Sequence, residues 1–144
     1  MKKITRRPQL GELKENWYIV DAGGQTLGRL ASKIVKILIG KDTPNFDPSV
    51  INKAKVIVIN AAQIRVTGNK FDQKRYYRHS GYPGGLKVTP FSELMKKKPT
   101  EVIKKAVSGM LPKNKLRRGR LNNLKIYKDD QHLHQGQKPV KIEL

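Results

Sequence analysis

The clearest pattern along the chain is an apolar stripe between residues 27 and 38. Its members are spaced three and one apart, which places them on one side of an α-helix; they are Leu27, Leu30, Ala31, Ile34, Val35 and Leu38. The opposite side carries Arg29, Lys33 and Lys36. Thr26 is a residue type that caps helix N-termini, and Gly40 suits the left-handed turn that ends a helix. The pattern predicts an amphipathic helix with one buried face and one basic face.

Short runs of β-branched and aromatic residues predict strands before and after this helix. Residues 17–22 read Trp-Tyr-Ile-Val-Asp-Ala and are followed by two glycines. Residues 56–59 are apolar at every position, as in a strand that is covered on both faces of a parallel sheet. Shorter strands are predicted at 64–67 and 124–127. This order of strands and helix predicts an α/β sandwich with a mainly parallel sheet.

Two further helices are predicted in the second half of the chain. The first starts at Thr89-Pro90, with proline at its first position, and ends before Pro99. The second is capped by Thr100 and has an apolar face that runs to Met110. Together with the first helix and the apolar strand, they predict a core whose buried members include Leu30, Ile34, Val35, Val58 and Val107.

The remaining segments are polar or basic. Residues 69–87 are rich in Lys, Arg, Tyr and Gly and predict a long irregular loop, which in a compact domain is usually functional. Residues 113–123 are basic without an apolar stripe and predict a second basic loop. Residues 1–16 predict a polar surface arm, and the chain from residue 128 onward predicts an irregular tail. A chain of 144 residues predicts a single domain, 1–144.

Charge changes this picture of an ordinary small domain. The chain has 31 Lys and Arg against 11 Asp and Glu, so its net charge is +20. Leu, Ile, Val and Phe still make up about a quarter of the residues, above the roughly 20% that is typical of disordered chains. A folded protein with this excess of positive charge repels itself, and a polyanion would offset the repulsion. Nucleic acid is the polyanion that such a composition most often indicates.

Several other classes of protein are disfavoured by the same composition. The chain has no cysteine, which excludes disulfides, cysteine nucleophiles and cysteine-based zinc sites. The chain has no stretch of about 18 apolar residues, so the sequence does not predict a membrane span. The basic start of the chain is not followed by the apolar segment of a signal peptide. We therefore expect an unprocessed cytoplasmic protein.

Two motifs suggest a nucleotide or a metal, but neither fits well. Residues 23–30 form a glycine-rich turn between a strand and a helix, where a phosphate-binding loop would need Lys and then Ser or Thr after its last glycine. Arg29 and Leu30 stand there, so a structural turn whose helix receives at most one backbone phosphate is the stronger hypothesis. His132 and His134 offer two imidazoles, but zinc needs three or four ligands. We expect no metal, no cofactor and no catalytic residues.

The stretch 74–85 is the most informative one for function. Its cations can neutralise phosphates, and tyrosine rings can stack on unpaired bases. Tyr76 and Tyr77 are adjacent, so in an extended segment one faces the domain and the other faces outward. The alternative is a solvated loop with tyrosines in the core. Runs of lysine and arginine at 96–98, 104–105 and 113–120 are often only solvated faces, but in so basic a chain they favour phosphate contact.

The motifs taken together resemble one known family. They are similar to the bacterial form of the universal large-subunit ribosomal protein thirteen family. The segments that carry the resemblance are 17–22 with 27–32, 56–61 with 66–68, 74–85, 106–114, and His132-x-His134 with Gln137 and Pro139. The resemblance extends over about residues 14–140. It implies a three-layer α/β/α sandwich with a mainly parallel four-stranded sheet. It also implies a structural, non-enzymatic protein of the large ribosomal subunit that binds ribosomal RNA and neighbouring ribosomal proteins and supports early assembly.

The family further implies a possible repression of translation through the protein's own mRNA. The charge runs, the basic helix face and the stretch 74–85 provide the predicted RNA-binding residues; they are Arg29, Lys33, Lys36, Lys41, Lys70, Lys74, Arg75, Tyr76, Tyr77, Arg78, His79, Tyr82, Lys113, Lys115, Arg117, Arg118 and Arg120. Two alternatives remain open. One is a free-standing regulator that uses the same basic surface on RNA or DNA, and the other is an enzyme that uses the turn at 23–29.

Overall fold

A computed structural model describes residues 14–44 and 46–142. The elements, in chain order, are β1 (Trp17–Asp21), α1 (Leu27–Ile39), β2 (Lys55–Ile59), α2 (Lys70–Gln73), β3 (Arg75–His79), β4 (Leu86–Pro90), α3 (Phe91–Lys97), α4 (Pro99–Met110), α5 (Leu116–Asn122), β5 (Leu124–Ile126) and β6 (Val140–Lys141). Most of the predicted arm at 1–16 lies outside the described residues.

Four strands form one sheet in the order β5–β2–β1–β6, and every neighbouring pair is parallel. The predicted α/β sandwich with a mainly parallel four-stranded sheet is therefore confirmed. The identity of one strand is wrong. Residues 64–67 contribute only an isolated bridge between Arg65 and Thr26. The fourth strand is Val140–Lys141, within the tail that was predicted to be irregular.

The core lies between the sheet and helices α1 and α4. Parallel register places Val20 beside Val58, and both point to the face that these helices cover. Leu30, Ile34, Val58 and Val107 are fully buried and Val35 is nearly so, which confirms the predicted core. The spacing of the apolar residues along α1 therefore positions the helix, and its basic side is turned away from the sheet.

The other face of the sheet is covered by the C-terminal segment. Side chains alternate along β1, so Trp17 points away from Val20 and its ring contacts His134, with centroids 5.0 Å apart. The Tyr127 ring contacts the rings of both His132 and His134, with centroids 6.3 and 6.0 Å apart. Residues 128–139 cross this face, with a 3₁₀ helix at Gln135–Gln137, and end in β6 beside β1.

Helix α1 has the predicted ends. Thr26 is the N-cap residue, although its side chain does not make a capping hydrogen bond. Gly40 lies in the left-handed conformation with φ of 86°, and its N–H donates to the carbonyls of Lys36 and Ile37. A Cβ at Gly40 would come within 2.7 Å of the Asn52 side chain. Glycine is thus required here both by backbone conformation and by close packing.

Both predicted basic loops contain regular structure. Residues 69–87 were predicted to be irregular, but they form α2, β3 and the first two residues of β4, and β3 and β4 pair as an antiparallel hairpin. The prediction was wrong because β3 buries none of its residues and so lacks a hydrophobic alternation. The second loop, 113–123, contains helix α5.

The helices of the second half begin later or earlier than predicted. Thr89 and Pro90 belong to β4, and α3 starts at Phe91 with Pro90 as its N-cap. Helix α4 starts at Pro99, one residue before the predicted cap Thr100, and so has proline in its first turn. Proline has no N–H to lose at that position, which explains why α4 can begin there.

Candidate nucleic-acid interface

A groove with a volume of about 730 Å³ lies between the start of α1, helix α2 and one side of α4. Its wall includes apolar groups, namely Leu27, Val66, Ala106 and Met110. Four cations line it as well, namely Arg29, Lys70, Lys74 and Lys105. Among the described residues that line the groove, none is acidic. Four like charges in one concave surface raise the local positive potential, which favours an anion there.

Two of these lysines are held by an aromatic ring. The Nζ of Lys105 lies 4.7 Å from the centroid of the Tyr76 ring, and that of Lys74 lies 5.5 Å from it. An ammonium group over a tyrosine face is attracted by the π-electrons without losing its positive charge. Tyr76 in turn stacks on the buried Phe91, with centroids 6.5 Å apart, and burial raises the pKa of its hydroxyl. The Tyr76 ring, itself packed on the core, therefore positions two ammonium groups in the lining of the groove.

The β3–β4 hairpin presents a second basic surface. Register places Arg75, Tyr77 and His79 on one side of the hairpin, together with Val88 and Leu86 of β4. Tyr77 is 66% exposed, whereas Tyr76 faces the domain, so the predicted division between the two tyrosines is confirmed. An aromatic ring, apolar side chains, an imidazole and one arginine thus share one exposed face.

The rest of the hairpin is also open to solvent. Arg78 and Lys87 pair across the strands on the side that Tyr76 shares. Tyr82, in the connecting loop, is 76% exposed. The loop has positive φ at Gly81 and Gly84, and the N–H of Gly81 donates to Nδ1 of His79. This hydrogen bond orients the imidazole at the tip of the strand.

The outer side of α1 continues the basic surface from Arg29. Lys33 and Lys36 follow at helical spacing and are exposed, as is Lys41 just after the helix. Lys36 forms a surface salt bridge with Asp42, with 2.9 Å between Nζ and Oδ1. Such an exposed pair contributes little to stability, so it does not withdraw Lys36 from a stronger anion.

The cations of the 113–120 run divide into two groups. Lys113, Lys115 and Arg118 are exposed. Arg117 is half-buried and donates to the carbonyl and hydroxyl oxygens of Ser108, which ties α5 to α4. Arg120 is 1% exposed and donates to the carbonyls of Pro48 and Val50. The structure therefore places Arg120 in the interior, where it holds the 48–50 segment, and not on an RNA-facing surface as expected from the sequence.

The glycine-rich turn is used by the fold itself. The N–H of Gly24 donates to the carbonyl of Gln63, and that of Leu27 donates to the carbonyl of Arg65. The N–H of Gly23 donates to the carboxylate of Asp21 at 2.8 Å. Backbone N–H groups that a phosphate-binding loop would offer to a nucleotide are thus already satisfied. This geometry supports the structural interpretation of the turn.

His132 and His134 belong to the aromatic cluster around Tyr127. Nδ1 of His132 accepts a hydrogen bond from the backbone N–H of His134. Within the described ranges, no three His, Asp, Glu or Cys side chains come close enough together to hold a metal ion. Likewise, no helix in residues 14–44 and 46–142 is both long and apolar enough to cross a bilayer.

Known proteins are similar to this chain in sequence over nearly its whole length. The sequence profile of the ribosomal protein L13 family matches residues 15–133. The chain belongs to the ribosomal protein L13 family. Three of the relatives that carry the name large ribosomal subunit protein uL13 match nearly the whole chain. The protein of Aquifex aeolicus is 51% identical over 144 residues, covering 100% of this chain and 99% of the relative.

The other two relatives cover almost as much. The protein of Thermobifida fusca is 48% identical over 140 residues, with 97% of this chain and 94% of the relative aligned. That of Syntrophotalea carbinolica is 46% identical over 140 residues, with 97% and 99% aligned. The resemblance inferred from the motifs is confirmed. As a member of the L13 family, the protein is a structural component of the ribosome and not an enzyme.

Two groups on these surfaces were absent from the predicted set. Lys105 completes the groove, and Lys87 extends the hairpin surface. Lys105 belongs to the lysine run at 104–105, which the sequence favours for phosphate contact. The sequence does not indicate which of these two lysines faces the groove, because that depends on where Tyr76 lies. The helical spacing between Lys105 and Gly109 indicates, in retrospect, that both belong to one side of α4.

Proposed function

We propose that this L13-family protein is a constituent of the large ribosomal subunit, in the cytoplasm, that binds ribosomal RNA through three basic surfaces. These are the groove between α1, α2 and α4, the outer side of α1, and the exposed face of the β3–β4 hairpin. The observation that carries the proposal is the groove, where four cations converge without a lining carboxylate. A protein that did not bind a polyanion would gain nothing from this arrangement.

The surfaces divide the work by chemistry. Lysines act as point charges toward phosphate, and a planar arginine can bind two phosphate oxygens at once. The groove and the α1 face therefore suit an RNA backbone. On the hairpin, Tyr77 adds an exposed ring beside Arg75 and His79, which suits stacking on unpaired bases. Contacts of both kinds would fix the orientation of the protein on folded RNA and support assembly of the subunit.

The first experiment measures binding of an in vitro transcript of large-subunit ribosomal RNA at several salt concentrations. The logarithm of the affinity should fall by about 0.7–0.9 per phosphate contacted for each tenfold rise in salt. Replacing both Arg75 and Arg78 by Ala should weaken binding and flatten this dependence without lowering the melting temperature, because both side chains are exposed. A salt-independent affinity would contradict the proposal.

The second experiment separates a ribosomal constituent from a free-standing regulator. A tagged protein should co-sediment with large subunits after a wash at high salt, as a constituent does and a loosely bound regulator does not. The matched pair Lys105→Gln and Lys104→Gln sharpens the result. Lys105 lines the groove, whereas Lys104 lies on another side of α4 near Leu124. Lys105→Gln should reduce incorporation more than Lys104→Gln does.

A further inference from the structure

The groove between α1, α2 and α4 has more than a phosphate site requires. A surface that binds only a nucleic-acid backbone needs exposed cations and little depth. This groove has a volume of about 730 Å³, within the range of small-molecule sites. Leu27 and Ala106 line it from α1 and α4, and Met110 and Val66 extend the apolar wall. Its apolar part is left unexplained by phosphate binding alone.

The cations and the apolar wall are arranged within one cavity. Lys74 and Lys105 are fixed over the Tyr76 ring, and Arg29 lines the groove from the first turn of α1. A planar apolar group and an adjoining anionic group could therefore bind together. Among biological polyanions, a nucleotide combines a flat ring system with a phosphate on each side. An acidic peptide would pair with the cations but would leave the apolar wall in contact with water.

We propose that this groove binds one unstacked nucleotide of the bound RNA, with its base against Leu27, Val66 and Met110 and its flanking phosphates against the four cations. The inference rests on the proposed function, because the nucleotide is part of the RNA that the protein binds. It adds that one base leaves its stack and enters the protein, so the groove reads an irregular position of the RNA and not a regular helix.

Gly109 provides a means of filling the groove without disturbing the fold. It lies in α4, lines the groove, and a Cβ built there would meet no atom within 4 Å. Gly109→Leu should therefore occupy the space intended for the base. Gly109→Ala adds one methyl group and serves as the small control. Gly136→Leu places the same side chain in the 3₁₀ helix of the C-terminal segment, where a Cβ also meets nothing within 4 Å.

The RNA measurement uses the full chain and the large-subunit transcript at constant salt. Gly109→Leu should weaken binding about tenfold, the size expected for the loss of one bound base. Gly109→Ala should weaken binding less than Gly109→Leu does, and Gly136→Leu should bind within about twofold of the unaltered protein. Melting temperatures verify that all three variants fold. If Gly109→Leu is folded and binds the transcript as tightly as the unaltered protein does, the nucleotide site is wrong although RNA binding stands.

A second measurement detects the base directly. Adenosine 5′-monophosphate and ribose 5-phosphate, at millimolar concentrations, are added to protein with ¹³C-labelled methionine methyls. The base should shift the Met110 methyl upfield through its ring current, ribose 5-phosphate should not, and Met95, which packs against the core, should not move. Equal effects of the two compounds on Met110, or no effect of either, would overturn the inference, as would a larger effect of a polyglutamate peptide.

The two measurements distinguish the failure of this inference from the failure of the proposed function. If the unaltered protein does not bind the transcript at all, the proposed function fails, whatever the methyl spectra show. If it binds and the Met110 methyl does not respond to the base, the groove contributes charge alone. Support for the nucleotide site requires both the response of Met110 to the base and the loss of affinity in Gly109→Leu.

Discussion

The β1–β2 pair and the β3–β4 hairpin are each built from two five-residue strands, yet they use them in opposite ways. Four of the five residues of β2 are buried, whereas none of those of β3 is. A two-stranded hairpin is only marginally stable by itself. This one is attached to the core through Phe91. The Phe91 ring packs against the rings of Tyr76 and Phe71, and its N–H donates to the carbonyl of Lys74. The difference indicates that the sheet stabilises the fold, whereas the hairpin leaves most of its side chains open to solvent.

The largest effect should come from removing a core side chain beneath the sheet. Ile34 is fully buried among α1, α4 and β2, and truncation of such a residue to Ala costs about 2–5 kcal/mol. Leu86 on the hairpin is 56% exposed, so Leu86→Ala should change the free energy of unfolding by no more than about 0.5 kcal/mol. Urea denaturation measures both variants. Similar destabilisation by the two would remove the distinction between the regions.

Arg120 tests whether a cation can belong to the structural region. Its guanidinium donates to the carbonyls of Pro48 and Val50, and Arg120→Ala would leave these groups unpaired, at a cost of about 1–3 kcal/mol. Arg118, two residues away, is exposed, and Arg118→Ala should leave stability unchanged. Thermal melting gives the comparison. A destabilised Arg118→Ala with an unaffected Arg120→Ala would reverse the assignment of these two arginines.

The sheet with its helices could be predicted from the sequence better than the hairpin could, and the physical reason is burial. The spacing of Leu30 and Ile34 indicates which face of α1 packs against the core. No local pattern indicates that Arg120 is buried, because arginine is normally exposed and its burial depends on carbonyls about 70 residues away in sequence. The hairpin is equally hard to predict from sequence, since a strand such as Arg75–His79 that buries none of its residues has no alternation of apolar and polar positions. Val140–Lys141 is a strand only because β1 lies beside it.

For the predicted site residues, the sequence supports a hypothesis about the type of contact but not about which residues lie together. Exposed cations in so basic a chain favour phosphate contact. That Arg29, Lys70 and Lys74 line one groove follows from the packing of α1 and α3 against α4 and of α2 against α3, which no local pattern encodes. The separation of Tyr76 from Tyr77 was predictable, because adjacent residues of an extended segment face opposite sides.

The two tyrosines sharpen the comparison within a single strand. Tyr76→Ala removes the stacking on Phe91 and the contacts with two lysines, and should destabilise the protein by about 1–2 kcal/mol. Tyr77→Ala, on the outer side, should leave the melting temperature unchanged and weaken binding of the RNA transcript. Parallel melting and binding measurements are needed for both. If Tyr77→Ala unfolds the hairpin while RNA binding is retained, the exposed face is structural.

The smallest effect concerns Asp21, at the end of β1, and it appears in the dependence of stability on pH. Hydrogen bonds donated by the Asn60 side chain and by the Gly23 N–H lower the pKa of the Asp21 carboxyl below its ordinary value of 3.8, with a further contribution from Lys141. A carboxyl whose pKa is lowered by folding stabilises the folded state when it is ionised. That stabilisation is complete at pH values above the unfolded pKa and is lost as the pH falls through the folded pKa.

Asp21→Ala removes this contribution, so it should be less stable than the unaltered protein at pH 7, and the difference should narrow as the pH falls below 3.8. Because Asp21 is only partly buried, solvent screens the charge and the effect should be small beside that of Ile34→Ala. Urea denaturation at pH 7 and at pH 3 measures it, with the exposed Asp130→Ala as control. A difference that stays constant across this range would mean that Asp21 acts through packing, and that the turn after β1 does not depend on its charge.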